Sequence, residues 1–573
     1  MKSTELLSKE KGFFIFACIG FLCAFLWKAE KDLAIAGNIF WTGKYILGIL
    51  FFALIVGGGI GSLLCLFLYK MYEGKLAGFR DKAVNFQPKL KYELGLSKLK
   101  PRQVFTGSAV LVLLSLLPIY LAYYPGICAY DTLIQLEQIL KVNYIDHHPI
   151  LHTLLLKWFL DIGNALGNAT IGIGIYMALQ ALVVACAFAY GVTALHHFKI
   201  ANWVLVVVQL FFMLYPFHWY MSVTTTKDTL FTAFFLVQMV SLYGLLLEHD
   251  KCGWRNLFVG MYMLGTVGMI LFRNNGKYAM LVLLGILFLA ILFGKKNRKL
   301  WLRIGAISLV LFLLGNLILS GLFRATNAVQ GDKREMLSMP IQQLARTMVY
   351  HGGLGMEESD DNTLTAEDKA LINEFILYEK YRDYRPEISD PVKSFTNTYV
   401  VRYKAKEFIS TYLSLLVRYP GDYINAVLAV NAGFLSPGDV SHATINQISG
   451  QPGLGYVQTR WVDEEMAEQG IYRNSKWVSL REGLEKWADE NGYLKLPVLK
   501  YLFVPGTVLW AYLLLLGICL LKRAYNRLIP LSLVLGYFGT LILGPTVQLR
   551  YSYPLMVVLP LVWILSVKVK RNA

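Results

Sequence analysis

Carboxylates are scarce outside one part of this chain, and where they fall is the first sign of chemistry. Of 38 Asp and Glu residues, 24 lie between positions 323 and 500, which leaves 14 elsewhere. Asp131, Glu137, Asp146, Asp161 and Asp228 sit in short segments that flank long apolar runs. An acid held beside hydrocarbon is costly to ionise and marks a functional position by default. Asp131 opens an Asp-Thr-Leu-Ile-Gln-Leu-Glu stretch, and one such carboxylate is enough to take a proton from a hydroxyl. Asp146-His147-His148-Pro149 adds two imidazoles, Lys227-Asp228 follows three threonines, and Arg273-Asn-Asn-Gly-Lys277 and Gln548-Leu-Arg550-Tyr551 add cations. A guanidinium presents a planar fork of donors that matches phosphate oxygens. The set therefore offers one base (Asp131) and a group of residues for an anionic phosphate or its sugar. Each has a plainer reading as well. Asp131 and Asp228 suit helix caps, Lys and Arg anchor helices at a membrane interface, and a lone His pair is weak evidence for a metal.

The elements that must position these residues are helices in a bilayer. The chain is 56% hydrophobic and only 16% charged, against about 25% charged in soluble domains. Its apolar residues come in runs of about 15–25, each of which has to satisfy its own backbone hydrogen bonds in lipid. The runs predict twelve transmembrane helices, at about 12–27, 45–69, 104–123, 169–195, 201–216, 229–247, 257–272, 279–294, 301–322, 500–521, 529–547 and 553–567. The first has no small-residue cleavage site and is followed at once by Lys28–Asp32, so it reads as a span and not as a signal peptide. The expected fold is an all-α polytopic bundle. Its parts are two N-terminal helices and a basic loop (1–103), a transmembrane core (104–322), a mostly helical insert (323–499) and three C-terminal helices (500–573). In the segment 124–168, Asp131, Gln135 and Gln138 share one helix face, with Leu133, Leu136 and Leu140 opposite, which predicts a helix lying along the interface. A second amphipathic stretch spans 151–166. In the insert, Thr365 is the expected N-cap of a helix running to Tyr381, and Phe408–Val417 is an apolar run too short to span. None of the seven cysteines lies in the insert, so no disulfide framework is implied, which suits a bacterial plasma membrane.

Charge sets the orientation. The net charge is +17, yet residues 323–500 hold 20 Lys and Arg against their 24 acids. The basic excess concentrates in Lys70–Arg102, Lys295–Arg303, Lys522–Arg527 and Lys568–Arg571, which the positive-inside rule places in the cytoplasm. With twelve spans both termini are then inside, and segments 124–168, 217–228, 273–278, 323–499 and 548–552 face outward. Basic clusters interrupted by spans are topology signals and argue against nucleic acid as a partner.

The outer loop bearing Tyr123-Tyr-Pro-Gly and Tyr130-Asp131-Thr, its two interfacial helices and the Asp146-His-His-Pro149 turn resemble the first outer loop of the GT-C glycosyltransferase superfamily. That group includes protein O-mannosyltransferases and lipid A aminoarabinose transferases. The chain is also similar to bacterial membrane proteins placed near GT-C, in which Tyr-Pro-Gly…Asp, Lys-Asp, Arg-Asn-Asn-Gly and Ser-x-Pro-x-Gln-Gln (here Ser338–Gln343) recur. Two helices precede the loop where the superfamily usually has one, His148-Pro149 replaces a double Pro, and the soluble part interrupts the membrane region. The resemblance implies transfer of a sugar from a polyprenyl-phosphate donor to an extracytoplasmic acceptor, with inversion. Asp131 would be the base, and Arg550, Arg273, Lys277, Lys227, Asp228, His147, His148 and Tyr551 would bind the donor's phosphate or sugar. It fixes no cofactor and leaves a divalent cation open.

Two other classes compete. A transporter or flippase of lipid-linked sugars needs ionisable groups near mid-bilayer and broken helices, whereas charges here gather at helix ends. A non-catalytic cell-envelope assembly protein would use Asp131 only as a cap. Orientation is tested first. A Cys placed at Glu358 is expected to react with a membrane-impermeant maleimide in intact cells, and labelling only after lysis would reverse the topology.

Overall fold

A computed structural model of the protein describes residues 6–72, 95–128, 130–248, 252–294, 297–331, 333–357, 359–435, 437, 466–490, 492–497 and 499–567. Helices α1 (Lys9–Ala36) and α2 (Gly43–Tyr72, with one π-helical turn over Ala53–Gly58) form the first hairpin. They cross closely enough that a Cβ on Gly20 would sit 2.0 Å from the Gly57 carbonyl oxygen. Then come α3 (Pro101–Tyr123), the shorter α4 (Tyr130–Lys141) and α5 (Ile150–Ala165), and α6 (Ala169–His197). Next, α7 (Asn202–Leu214) and α8 (Pro216–Ser222) meet at a 52° bend. Pro216 at the start of α8 lacks the donor that a continuous helix would need there. The core continues with α9 (Lys227–Leu247), α10 (Cys252–Phe272), α11 (Asn274–Phe293) and α12 (Arg298–Thr326).

In the insert, α13 (Ser338–His351), α14 (Ala366–Phe375), α15 (Ala405–Arg418) and α16 (Pro420–Val430) enclose a core that includes Leu344, Met348, Phe375, Phe408 and Leu415. Thr365 caps α14 as expected, in a reciprocal box with Asp368. The helix stops at Phe375, however, short of Tyr381. Tyr378 and Glu379 take φ of 56° and 50°, and 377–383 closes as a 3₁₀ turn. Later in the insert, α17 (Val478–Asp489) joins the membrane core instead, where the Tyr220 hydroxyl donates to the Leu484 carbonyl at 2.9 Å. Three C-terminal helices complete the chain: α18 (Pro505–Leu521), α19 (Leu528–Ile542) and α20 (Leu549–Val567).

Among the described residues, nine helices are long and apolar enough to cross a membrane, and α7 with α8 makes a tenth if the bent pair is one span. The chain is thus an all-helical, multi-pass membrane protein; no strand occurs among the described residues, only isolated bridges. The twelve expected spans are reduced because two C-terminal runs are cut short. Pro505 starts α18 at 17 residues, and Gly544-Pro545 follows the 15-residue α19. Three segments expected as loops are helical: 216–222 is α8, Asn274–Lys277 opens α11, and Arg550 is the second residue of α20. The charged side chains are therefore carried on rigid helix starts.

The loop between α1 and α2 docks on the insert. Asn425 donates to the Asn38 side chain at 2.6 Å and accepts from the Trp41 indole at 2.9 Å, and the fully buried Arg346 also reaches Asn38 at 2.6 Å. Lys70, at the other end of the 30-residue α2, lies about 40 Å away by helix rise. The insert and that basic end are on opposite sides of the bundle. Glu358 lies outside the described residues; Glu367, exposed in the first turn of α14, serves equally for labelling.

The insert also holds a titratable clamp. His351 bonds Asp422 through Nε2 at 2.7 Å and Asp361 through Nδ1 at 2.8 Å. Burial alone would lower the imidazole pKa, but the two carboxylates outweigh it and raise it. A raised pKa in the fold gives stability that is full below the unfolded value of about 6.5 and is lost as pH climbs through the folded value. Thermal unfolding of the insert is expected to be higher at pH 5.5 than at pH 8.5, and His351→Gln should abolish that difference.

Candidate functional site

The site is assembled by a stapled turn. After α3, Ile127 pairs in parallel with Thr224: its N–H donates to the Val223 carbonyl at 2.7 Å, and its own carbonyl accepts from Thr225 N–H at 2.9 Å. Thr132 in α4 donates to the Thr225 carbonyl at 2.6 Å. From within the membrane core, the Gln180 amide donates to the Met221, Ser222 and Thr224 carbonyls at 3.3, 3.1 and 2.9 Å. It satisfies carbonyls freed where α8 ends. Thr226 then caps α9, its hydroxyl accepting from the Asp228 N–H at 3.3 Å. These contacts hold the first turn of α4 against the first turn of α9.

A chain of alternating charges results. Lys227 Nζ lies 2.5 Å from Asp131 Oδ2, and Arg550 Nη1 lies 2.9 Å from the same oxygen. Arg550 Nη1 also reaches Asp228 Oδ2 at 3.4 Å, and Arg273 is hydrogen-bonded to the other Asp228 oxygen. Tyr551 presents its ring to both guanidiniums, each 4.8 Å from the centroid. Gln548 accepts from Arg550 Nε at 2.6 Å, and Asn275 from Arg273 Nε at 3.4 Å. Asp228 is fully buried, and Arg550, Arg273 and Asp131 are only 6–8% exposed, so the chain is shielded from solvent. Three cations face two carboxylates, a surplus of one positive charge suited to an anion.

Neither Asp is a cap. Asp131 is the second residue of α4, and α9 is capped by Thr226. Burial alone would raise the Asp131 carboxyl, but the Arg550 and Lys227 cations outweigh it and hold it well below the usual carboxylate range. His148 lies with Nδ1 3.2 Å from Lys227 Nζ and 4.0 Å from Asp131. Burial, reinforced by Lys227, pushes its pKa well down, so the ring is neutral. Its Nε2 is buried with no hydrogen-bond partner among the described residues.

The structure thus brings together Asp131, His148, Lys227, Asp228, Arg273, Arg550 and Tyr551. It places Lys277 and His147 in a second network. Lys277 interacts with Asp146, whose carboxyl is raised by burial against the pull of Lys277 and His147. His147 lies 3.9 Å from Glu335, which pairs with Lys393 at 2.7 Å and so leads into the insert. Lys277, in the first turn of α11, is thus near the charge of Asp146 and is not among the described residues in contact with Asp131 or Asp228. Among the described residues, no group of three His, Cys, Asp or Glu is placed to hold a metal ion. A divalent cation shared by the two carboxylates would have to displace Arg550 from between them.

The expected interfacial helix has its polar face, Asp131, Gln135 and Gln138, buried in the protein; on the apolar face Leu136 is buried as well, and Leu140 is 63% exposed. Beneath it runs a polar network that the sequence reading passed over. Gln135 contacts Thr153 and His152, at 2.8 and 2.9 Å, and His152 contacts Tyr176 at 2.9 Å. Tyr176 in turn meets Gln180 at 3.0 Å. A search for charges overlooks amides; the available signal was Gln180, an amide deep in the apolar run 169–195.

The model of a family of unknown function, DUF6020, matches residues 141–573. The chain belongs to that family. No curated protein and no solved structure matches it. Of the seven residues the structure brings together, the DUF6020 region carries all except Asp131, which lies ten residues before it begins. Gln180 lies inside the region, and its role is separable from charge. Gln180→Leu keeps the volume but leaves the Ser222 carbonyl without its side-chain donor, at a cost of about 1–3 kcal/mol, while the Met221 and Thr224 carbonyls keep the Thr229 hydroxyl and the Thr226 N–H. A lower unfolding midpoint is expected, with protein yield reduced but not abolished; an unchanged midpoint would remove Gln180 from the scaffold of the turn.

Proposed function

We propose that this protein is a GT-C-like membrane glycosyltransferase that moves a sugar from a polyprenyl-phosphate donor to a hydroxyl acceptor outside a bacterial plasma membrane. The observation that supports this most strongly is the 2.9 Å contact between Asp131 and Arg550, which are 419 positions apart. It sets a potential base directly against a phosphate-matching cation, with Lys227 and Arg273 alongside. In this reading the donor phosphate sits against Arg550, Arg273 and Lys227. The acceptor oxygen attacks the anomeric carbon from the face opposite the phosphate. A C–O bond forms, the bond to the phosphate oxygen breaks with its electron pair leaving on polyprenyl phosphate, and the acceptor proton passes to Asp131.

The low pKa of Asp131 bears on this step. A carboxylate held well below its usual range is a poor base, since the best general bases lie near the working pH. The donor's phosphodiester carries one negative charge, which, bound against Arg550 and Lys227, partly offsets their field and weakens their hold on Asp131, raising its pKa. The base is thus strengthened by the donor itself. The insert's position opposite the basic end of α2 supports, by the positive-inside rule, a site on the outer face. The insert, which the second network reaches through Glu335 and Lys393, then offers a surface for the acceptor.

One observation favours a second reading, transport of a lipid-linked sugar. The bent α7–α8 pair resembles the discontinuous helices that form transporter sites. The two readings part at Asp131→Asn, tested in proteoliposomes supplied with radiolabelled polyprenyl-phosphate sugar. Transfer is expected to fall by roughly 10²–10⁴-fold at normal protein yield, since Asn keeps the shape but cannot take the proton. Arg550→Lys keeps the charge but loses the fork and is expected to raise donor KM more than it lowers kcat. Labelled sugar that crosses the bilayer still attached to its lipid, with no transfer, would favour transport.

A further inference from the structure

The far ends of the same helices hold a second polar feature that the proposed activity does not use. A cavity of about 1000 Å³ lies between the C-terminal end of α9, the first turns of α10 and the N-terminal turns of α12. Asp228 and Glu248 mark the two ends of α9, and 20 residues of helix span about 30 Å, close to the thickness of the hydrocarbon layer. The cavity is therefore at the opposite membrane face from Asp131. Arg255, Arg298, Lys299 and Arg303 line it together with aliphatic side chains such as Leu245 and Ile307. The single acid in the lining, Glu248, is engaged by His197 at 2.9 Å. None of the four cations has an ion pair among the described residues, and the α12 N-terminus adds backbone N–H groups that favour an anion. Leu302, beside Arg303 in the lining, is 47% exposed on a spanning helix, where acyl chains are its solvent.

We propose that this cavity holds the phosphate headgroup of an anionic phospholipid, with its acyl chains along the α12 face. Cations from two helices, without ion pairs among the described residues, line one half-open cavity, and an apolar strip continues from it into the bilayer. A free phosphate would use the cations but gain nothing from that strip. A positive-inside topology signal needs the charges but not the cavity, and the segment Lys98, Lys100 and Arg102, with exposed side chains, provides that comparison.

The test is a titration of the full-length protein in detergent, followed by native mass spectrometry, with dioleoyl-phosphatidylglycerol as the probe and dioleoyl-phosphatidylcholine as control. Each cation near a headgroup is worth roughly fivefold in affinity. The triple variant R298Q/K299Q/R303Q is expected to bind phosphatidylglycerol roughly a hundredfold more weakly, whereas K98Q/K100Q/R102Q should lose less than fivefold. R298K/R303K, which keeps the charge, should bind like wild type and guards against a folding defect in the triple variant. Equal losses in the two triple variants would overturn the proposal, because the effect would be general surface charge. Phosphatidylcholine bound as tightly as phosphatidylglycerol, or phosphatidylglycerol displaced by millimolar inorganic phosphate, would overturn it too.

Discussion

A charge that leaves water must be met by an opposite one, and the half of the bundle that carries Asp131 is arranged around that constraint. Ionised groups at low dielectric carry a desolvation cost of several kcal/mol each, so Asp131, Asp228, Arg273 and Arg550 are tolerable only as a set. Each member is held by a different element: α4, α9, the α10–α11 junction and α20. Removing one exposes its neighbours. The buried network of Gln135, His152, Tyr176 and Gln180 keeps those elements in register, and the insert seals the side nearest His147 and Asp146. The same constraint explains why the site is closed. A buried ion chain is stable when complete, and an incoming anion has to compete with carboxylates already in place.

Much of the membrane fold could be read from residue order because lipid leaves the backbone only one local solution. Runs such as 104–123, 229–247 and 301–322 became helices near their expected places. The errors lie where hydrophobicity stops being the deciding force. Arg550, Lys227 and Asn274–Lys277 were assigned to loops because they are polar, yet they begin helices, since a helix start exposes N–H groups that polar neighbours can serve. The α14 break at Tyr378 has no polarity signal at all; it follows from left-handed backbone angles that depend on tertiary packing.

The site was legible as an inventory and not as a geometry. Rarity of charge singled out Asp131, Asp228, Arg273 and Arg550, and all four meet. The same criterion could not separate Lys277 from them, because its partner Asp146 is set by how the 142–149 segment folds back. It also could not weigh Gln180 or Tyr176, whose importance comes from carbonyls freed where α8 ends.

The position of Arg550 has a consequence for how the protein is made. It is the last member of the ion chain to leave the ribosome, 419 residues after Asp131. At ordinary synthesis rates of about 5–20 residues per second, that interval is roughly 20–80 s. Once Lys227 follows, 96 residues on, Asp131 has it for company, but Asp228 and Arg273 share an incomplete arrangement at the edge of the bilayer. The final helix is thus a keystone inserted into a waiting arch. A chain that ends early leaves buried carboxylates underpaired, a defect that membrane quality control can detect without consulting the soluble insert.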